Sequence, residues 1–443
     1  MAGQRKFGWL MFTTATAAIF MAISAHSAEA AKRSRIAEAQ DCPQSRPLIE
    51  SQTISETTPQ TAAPGRYKIL SESGEIRIPF EIYRNKIRMT ANVNGRDCHL
   101  TIDNGSLWDE ILFFGSPETD ALNFRSTGET VIGDASAPNP VRADIAPNVT
   151  VSFKDVVFFE QTAVVTRYER IRPNMWEGID GQVSATFFKN FIVKINFDES
   201  VVELHRPEGF VDPRAGQILA MKPGPNDSRT VRAMVRTMDG VDTAIDLLID
   251  LGGLQPLYLP VGKYDSIRRP KNAVESALGA GLMNQSGSLG RILSLTLGRH
   301  VLTDVVTAFT PVAKDASIFG NTMIGLPLLR RFIVTFDYPG NRLILERSGS
   351  FSEPFKVNMT GMELVPDSLG GLKVVTVYPR SAADESAIKE GDFVTRINGK
   401  AVSEYKPGEI RTILSQEGSE VRFEIIRSGR ALKAIVLKLR QIF

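Results

Sequence analysis

Short runs in which apolar and polar residues alternate fill the chain from about residue 67 onwards. Runs such as KIRMTANV and RDCHLTI have the period of two that places one face of a strand on a core and the other in solvent. Asn-Gly and Asp-Gly pairs separate several of these runs, and such pairs favour tight hairpin turns. The pattern predicts a mainly β fold built from antiparallel strands.

Three landmarks occur twice, in the same order, along this β-rich part of the chain. The first is a hairpin pattern whose second strand leads to an aspartate, Asp103 in one copy and Asp250 in the other, 147 residues apart. The others are a later strand pair and a Phe-Ile-Val triplet. Three landmarks at nearly constant spacing indicate an internal duplication. We therefore predict two homologous β lobes, residues 75–212 and 213–350.

Beyond about residue 356 the pattern mixes strands with helices. The strand pattern LKVVTVY is followed by the helix-like SAADESAI, by an Asn-Gly turn, and by GEIRTILSQ, which carries Ile410, Ile413 and Leu414 on one helical face. Closing strands surround a Ser-Gly turn. We predict a compact α+β module at residues 356–443.

The N-terminus has the layout of a secretory signal peptide. Arg5 and Lys6 precede an apolar stretch, and the small residues Ala28 and Ala30 mark a cleavage point that gives a signal peptide of residues 1–30. An uncleaved membrane anchor is the alternative, because the stretch is near the lower length of about 17 residues for a bilayer span. The pattern predicts an exported, periplasmic protein.

Residues 31–74 begin with a polar segment, rich in Pro, Ser and Thr, that predicts a flexible arm. Cys42 lies in this arm and Cys98 in the first lobe. An oxidising compartment permits a disulfide between them. Two unpaired thiols are the equal alternative, since sequence does not establish the geometry that the bond needs.

Charge and histidine content exclude several classes of function. The formal net charge of +2 over 443 residues gives no broad attraction to nucleic acid. Only three histidines follow the signal peptide, and no two of them are four residues apart, so no zinc-binding helix is indicated. No metal or organic cofactor is expected.

The stretches HLTIDNGSL and LLIDLGGL each carry an apolar strand into an Asp-x-Gly sequence. In this the two lobes resemble aspartic proteases of the pepsin and retropepsin class, especially bacterial single-chain forms with two retropepsin-like halves. Asp103-Asn104-Gly105 and Asp250-Leu251-Gly252 match the family's acid positions. Its later element, two apolar residues and Gly, matches Met323-Ile324-Gly325, whereas Gln182-Val183-Ser184 has Ser in place of Gly.

The resemblance implies that Asp103 and Asp250 form a catalytic dyad. Two carboxyl groups held face to face do not readily ionise together, so they share one proton, and one acts as general base on a water while the other acts as general acid. The glycines allow the opposing turns to approach closely. The residues that would support the dyad are Asn104, Gly105, Ser106, Gly252 and Gly253.

The residue that follows each acid departs from the family pattern. There the family has a hydroxyl that forms a hydrogen bond across the lobe interface. Asn104 keeps hydrogen-bonding capacity, whereas the side chain of Leu251 has none. The second acid is therefore expected to be less well supported than the first.

The C-terminal module resembles a PDZ domain. Leu369-Gly370-Gly371-Leu372 stands where that family has its carboxylate-binding loop, and EGDFVTRINGKAV matches its most recognisable stretch. This implies that a peptide adds beside LKVVTV while the loop amides bind its C-terminal carboxylate. The alternative is a plain glycine turn in a packing or oligomerisation unit.

The leading interpretation is an exported aspartic-type endopeptidase whose PDZ domain recruits or regulates polypeptide substrates. Its partners would be those substrates and a C-terminal peptide ligand, with neither nucleic acid nor a membrane span after signal cleavage. A catalytically inactive, two-lobed peptide-binding scaffold is the first alternative, and Leu251 favours it. An export-related assembly factor that works through its PDZ domain is the second.

Overall fold

The computed structural model describes residues 66–105, 109–132, 141–166, 178–277, 286–312 and 322–443, except 368, 407 and 433. The predicted signal peptide, Cys42 and residues 31–65 of the predicted arm lie outside these residues, as does Ser106. The end of the predicted arm is not flexible coil, because Tyr67–Ile69 is a strand that pairs with Val156–Phe158. No helix within the described ranges is long and apolar enough to cross a bilayer.

The first lobe consists of short antiparallel strands with two helical turns. Its strands are β1 (Tyr67–Ile69), β2 (Ile76–Tyr83), β3 (Lys86–Val93), β4 (Arg96–Ile102), β5 (Ile111–Phe114), β6 (Gly128–Ile132), β7 (Val141–Phe153), β8 (Val156–Thr166), β9 (Gly181–Val183), β10 (Ile192–Asn196) and β11 (Val201–His205). Its helices are α1 (Pro117–Asp120) and α2 (Ala185–Phe188).

The second lobe repeats this order. Its strands are β12 (Gln217–Pro223), β13 (Arg229–Arg236), β14 (Asp242–Ile249), β15 (Leu257–Val261), β16 (Val274–Ala277), β17 (Ser286–Leu297), β18 (His300–Pro311), β19 (Met323–Ile324), β20 (Phe332–Asp337) and β21 (Arg342–Arg347). The helix α3 (Leu326–Leu329) follows β19 as α2 follows β9.

A continuous antiparallel sheet joins the two lobes. Its strand order is β2, β11, β10, β20, β21 and β12, and the central pairing of β10 with β20 aligns Ile195 with Val334. The order reads the same from either lobe, which gives the molecule an approximate twofold axis between β10 and β20. Apolar residues from both lobes pack in one core that includes Phe153, Phe187 and Phe336.

The same strand crossing occurs in each lobe just before the acidic turn. In the first lobe β4 runs parallel to β9, which also pairs with β5. In the second lobe β14 runs parallel to β19, which also pairs with β15. The backbone N–H of Asp103 donates to Val183, and that of Asp250 donates to Ile324, so each acid is fixed where its strand leaves the sheet.

The C-terminal module has its own sheet and its own core. Its elements are β22 (Met362–Pro366), β23 (Leu372–Val377), α4 (Ala382–Glu385), β24 (Phe393–Ile397), β25 (Lys400–Ala401), α5 (Glu409–Ile413), β26 (Glu420–Arg427), β27 (Arg430–Ala431) and β28 (Ile435–Lys438). The core includes Val374, Val394 and Phe423. Both predicted helices of the module are present, in shorter form.

The module packs against the second lobe. Ser276 of β16 donates a hydrogen bond of 2.5 Å to Glu363 of β22, and the hydroxyl of Tyr378 donates to the same carboxylate. Arg291 of β17 donates to the carbonyl of Phe355 in the segment that links lobe and module, and its guanidinium lies 5.7 Å from the ring centroid of Phe443. The module is thereby held against the strands β16 and β17.

Candidate active site

Asp103 and Asp250 lie face to face at the junction of the two lobes. A methyl group built on Gly105 would lie 2.8 Å from Cγ of Asp250, and one built on Gly252 would lie 2.8 Å from Cγ of Asp103. Each carboxyl group therefore rests on the bare glycine of the opposing turn. The neighbouring Asp103 side chain also raises the pKa of the Asp250 carboxyl. The structure thus brings together the two acids that the sequence identified.

The backbone of each turn holds its own carboxylate. The N–H of Gly105 donates to Oδ1 of Asp103 at 3.0 Å, and the N–H of Gly252 donates to Oδ1 of Asp250 at 2.6 Å. Both aspartates are half-buried, so part of each remains accessible. The inner oxygens are thereby oriented, while a substrate or water can still reach the pair.

The pKa of the Asp250 carboxyl is raised well above its ordinary value. Burial is the largest cause because it disfavours the charged form, and the neighbouring Asp103 raises this pKa further. The Gly252 N–H and the buried Lys86 act in the opposite direction. The Asp250 carboxyl therefore keeps its proton to higher pH than an ordinary aspartate does.

Asn104 connects the two lobes behind the acids. Its Oδ1 accepts the backbone N–H of Leu251 at 2.8 Å, and its Nδ2 donates to the hydroxyl of Tyr338 at 3.2 Å. Asn104 is 0% exposed, so both bonds are shielded from water. A single amide therefore crosses from the first lobe to two separate points of the second.

The side chain of Leu251 makes no hydrogen bond to the first lobe, because leucine has neither a donor nor an acceptor group. Its side chain is 1% exposed and packs in the core shared by the lobes, while its N–H is bound by Asn104. The contact between the lobes behind the acids therefore has a hydrogen-bonded side chain, Asn104, from the first lobe and an apolar side chain, Leu251, from the second. Of the predicted supporting residues, Asn104, Gly105 and Gly252 contact the opposing turn or its acid.

Gly253 acts within its own lobe. A methyl group on Gly253 would lie 2.9 Å from Cα of Gly325, the glycine of the later family element. The carbonyl of Gly253 accepts the N–H of Leu326 at the start of α3. Close packing of these two glycines therefore joins the acidic turn to the α3 segment. The corresponding residue of the first lobe, Ser184, precedes α2.

Two tyrosines of the site were missed by the sequence analysis. The hydroxyl of Tyr338 is bound to Asn104, and the hydroxyl of Tyr258 accepts the N–H groups of Leu254 and Gln255 just after the acidic turn. Burial raises the pKa of Tyr258 to about 12, so it remains a neutral hydroxyl at physiological pH. Only the continuous apolar run LYLPV around Tyr258 could have marked it as buried.

Replacing Asn104 with Ala is expected to destabilise the fold by about 2–4 kcal/mol, because the buried Leu251 N–H and the Tyr338 hydroxyl both lose a partner. Thr at this position restores an acceptor and should recover part of the loss. Urea unfolding of the two variants measures the difference. Asn92→Ala removes a partly exposed side-chain hydrogen bond to Asp97 and should cost far less. Equal costs for Asn104→Ala and Asn92→Ala would contradict a lock at Asn104.

No cluster of three or more His, Cys, Asp or Glu side chains within the described ranges is arranged to hold a metal ion.

Cys98 lies on β4 among core residues. This burial raises the pKa of its thiol. Its predicted partner Cys42 is outside the described residues, and the disulfide stays a prediction. His99 is bonded through its backbone N–H to Asp180 at 2.7 Å.

Comparison with known proteins bears on each part of the chain. Curated protein sequences give no match. The family model of the PDZ domain matches residues 373–427. Among solved structures, the aspartic proteinase from Irpex lacteus is similar with a TM-score of 0.45 and 11% identity, covering 63% of this chain and 99% of that chain. The predicted mainly β fold with two lobes is confirmed by the strands and their pairing, and the C-terminal PDZ domain is confirmed by the family match.

The strand predicted to receive a guest peptide, LKVVTV, is paired on both sides over its first half. β23 pairs with β22 on one side, and its Leu372 and Lys373 pair with β24 on the other. The N–H of Val374 donates to Asp392 as well. The first half of LKVVTV therefore has no free edge, whereas β22 pairs only with β23 among the described strands. The apolar pattern identified the strand but did not reveal its neighbours.

Of the four residues predicted to bind a carboxylate, Leu369, Gly370 and Gly371 lie in the turn between β22 and β23, and Leu372 begins β23. Leu369 is 81% exposed, and its N–H donates to Oδ1 of Asp367 at 3.0 Å. The N–H of Gly370 donates to the Asp367 carbonyl, and Gly371 packs on Phe393. The N–H groups of Leu369 and Gly370 are thus already occupied, and carboxylate binding by Leu369–Leu372 stays a prediction.

Proposed function

We propose that this protein is an aspartic-type endopeptidase that hydrolyses peptide bonds with Asp103 and Asp250. The observation that carries the proposal is the mutual seating of the two carboxyl groups, each against the glycine of the opposing turn. Carboxyl groups held face to face hold one proton between them over a range of pH. A singly protonated pair supplies both a base and an acid at one point.

The roles follow from the asymmetry of the pair. The ionised carboxylate takes a proton from a water molecule as the water oxygen attacks the peptide carbonyl carbon. The protonated carboxyl, for which Asp250 is the natural position, gives its proton to the departing nitrogen as the C–N bond breaks. One proton is taken up and one is released, so the pair ends the cycle in the protonation state in which it began.

A scaffold without catalysis is the second candidate, and Leu251 is the observation that favours it. Its buried side chain provides no second hydrogen bond across the lobes. The tyrosine contact of Asn104 is a different anchor in the same region. We propose that this anchor is sufficient to hold the acids in register, and the proteolysis assay decides between the two candidates.

The assay uses the purified protein and denatured casein between about pH 3 and pH 8. Hydrolysis should follow a bell-shaped pH profile, because the active form carries one proton on the pair. Peptide fragments are separated by mass spectrometry, and Asp103→Asn and Asp250→Asn proteins are run in parallel. Absence of cleavage at every pH would reject the endopeptidase and favour the scaffold.

We further propose that the PDZ domain recruits or regulates polypeptide substrates and that the protein is exported to the periplasm. The contact of Glu363 in β22 with Ser276 supports a link between the PDZ domain and the second lobe. The basic start, apolar stretch and small residues of the N-terminus support export.

A further inference from the structure

A buried lysine lies at the end of the hairpin that leads to the first acid. Lys86 begins β3, two residues before Arg88, which forms the last pair of the β3–β4 ladder with Thr101. Asp103 follows Thr101 by two residues, just beyond the end of β4. The hairpin therefore brings Lys86 and the first acid to the same end of this strand pair.

The turn before Lys86 fixes this position. β2 and β3 are joined by Arg84 and Asn85, both with positive φ (48° and 60°), as in the tight two-residue turn that leads straight from one strand into the next. Nδ2 of Asn85 donates to the carbonyl of Leu254, four residues beyond Asp250 in the other lobe. The hairpin end is thus attached to both lobes at the site.

Lys86 is 6% exposed, which is unusual for a lysine unless an acidic group compensates its charge. The charged groups that act on it are Asp103, just beyond β4, and Asp250 on the opposing turn. Burial lowers the pKa of Lys86, and both aspartates raise it. The compensation for this buried charge therefore comes from the dyad itself.

The related position of the second lobe carries a serine. The last pair of the β13–β14 ladder is Thr230 with Leu248, two residues from Ser228 on one strand and two residues from Asp250 on the other. The approximate twofold axis thus relates Lys86 to Ser228. Among the described residues, the cation that acts on Asp250 belongs to the first lobe.

We propose that Lys86 is a positioning residue of the dyad whose ammonium stabilises ionised forms of the Asp103–Asp250 pair and so moves the pH range of the singly protonated pair to lower values. This rests on the proposed endopeptidase function. A nearby positive charge favours each loss of a proton from the pair. Both limbs of the pH profile therefore move in the same direction when the charge is removed.

The test replaces Lys86 with Met, which keeps the length of the side chain without its charge, and with Arg, which keeps the charge. Ser228→Ala is the matched control at the twofold-related position. The titration midpoint of the Asp250 carboxyl is followed by NMR after ¹³C-labelling of the aspartate carboxyls, and casein hydrolysis is measured at each pH. Asp250→Asn identifies the resonance.

For Lys86→Met the Asp250 midpoint and both limbs of the activity profile should move to higher pH, while Lys86→Arg and Ser228→Ala should stay near the wild type. On the acid limb, Lys86→Met should be at least about threefold less active than the wild type. An unchanged midpoint in folded Lys86→Met would overturn the proposal. If Lys86→Met does not fold, a midpoint in Lys86→Gln that equals the wild-type value would also overturn it.

The carboxyl titration also separates this inference from the proposed function. A shifted midpoint in a protein that cleaves nothing would support the role of Lys86 and reject the endopeptidase. Cleavage by the wild type with unshifted midpoints and limbs in the variants would reject the role of Lys86 and retain the endopeptidase.

Discussion

Replacing Asp250 with Asn should reduce casein hydrolysis by about 10³-fold or more at every pH tested, and Asp103→Asn should do the same. An amide of the same shape keeps the packing against Gly105 but can neither supply the acidic proton nor act as the base. Because the two acids act as a unit, the double variant should be hardly less active than either single one. Initial rates with a fluorescently labelled casein measure the effect.

Asp246→Asn is the matched control for this pair of variants. Asp246 lies on β14, the strand that leads to Asp250, and its carboxylate is 3.0 Å from Arg232 at the surface. Loss of a surface ion pair costs about 0–1 kcal/mol and leaves the dyad untouched. Activity in both Asp103→Asn and Asp250→Asn at the level of the control would reject the dyad.

Replacing Gly252 with Ala should produce the next largest effect. The added methyl group would lie 2.8 Å from Cγ of Asp103, closer than real contacts of this type. The two turns must separate to accept it, and a displacement of about 1 Å at a catalytic group costs on the order of 10²-fold in rate. Gly105→Ala should act in the same way through Asp250.

Gly128→Ala separates steric displacement from a general effect of added bulk. A methyl group on Gly128 of β6 meets no atom within 4 Å. This variant should retain the wild-type rate. Circular dichroism of the Gly252→Ala, Gly105→Ala and Gly128→Ala proteins tests whether Gly252→Ala remains folded while inactive. Full activity in Gly252→Ala would mean that the turns do not approach as closely as the structure has them.

The two acids could be identified from the sequence because each is flanked by two local features. Each follows an apolar strand and precedes glycine, and the hairpin before Asp103 turns at Asn94 and Gly95, which both have positive φ as the Asn-Gly pair predicted. These signals lie within a few neighbouring residues. The internal duplication then indicated that the two acidic turns are equivalent positions of two homologous lobes.

The partners of the acids could not be found in the same way. Tyr338 is 234 residues from Asn104, and nothing in its local pattern relates the two. Lys86 becomes part of the site only through the pairing of β3 with β4, which brings it to the same end of the hairpin as Asp103. The order of strands in the PDZ sheet is also non-local, and for this reason the pairing of β23 with β24 was not predicted.

The central claim, that the carboxyl groups of Asp103 and Asp250 interact as one titrating pair, is tested most directly by the Asp250 titration with and without Asp103. Carboxyl ¹³C shifts are followed against pH in the wild type and in Asp103→Asn. The Asp250 midpoint should lie well above its ordinary value in the wild type, because burial and Asp103 both raise its pKa. It should fall in Asp103→Asn, yet stay raised by burial. A midpoint that does not change when Asp103 is replaced would contradict the pair.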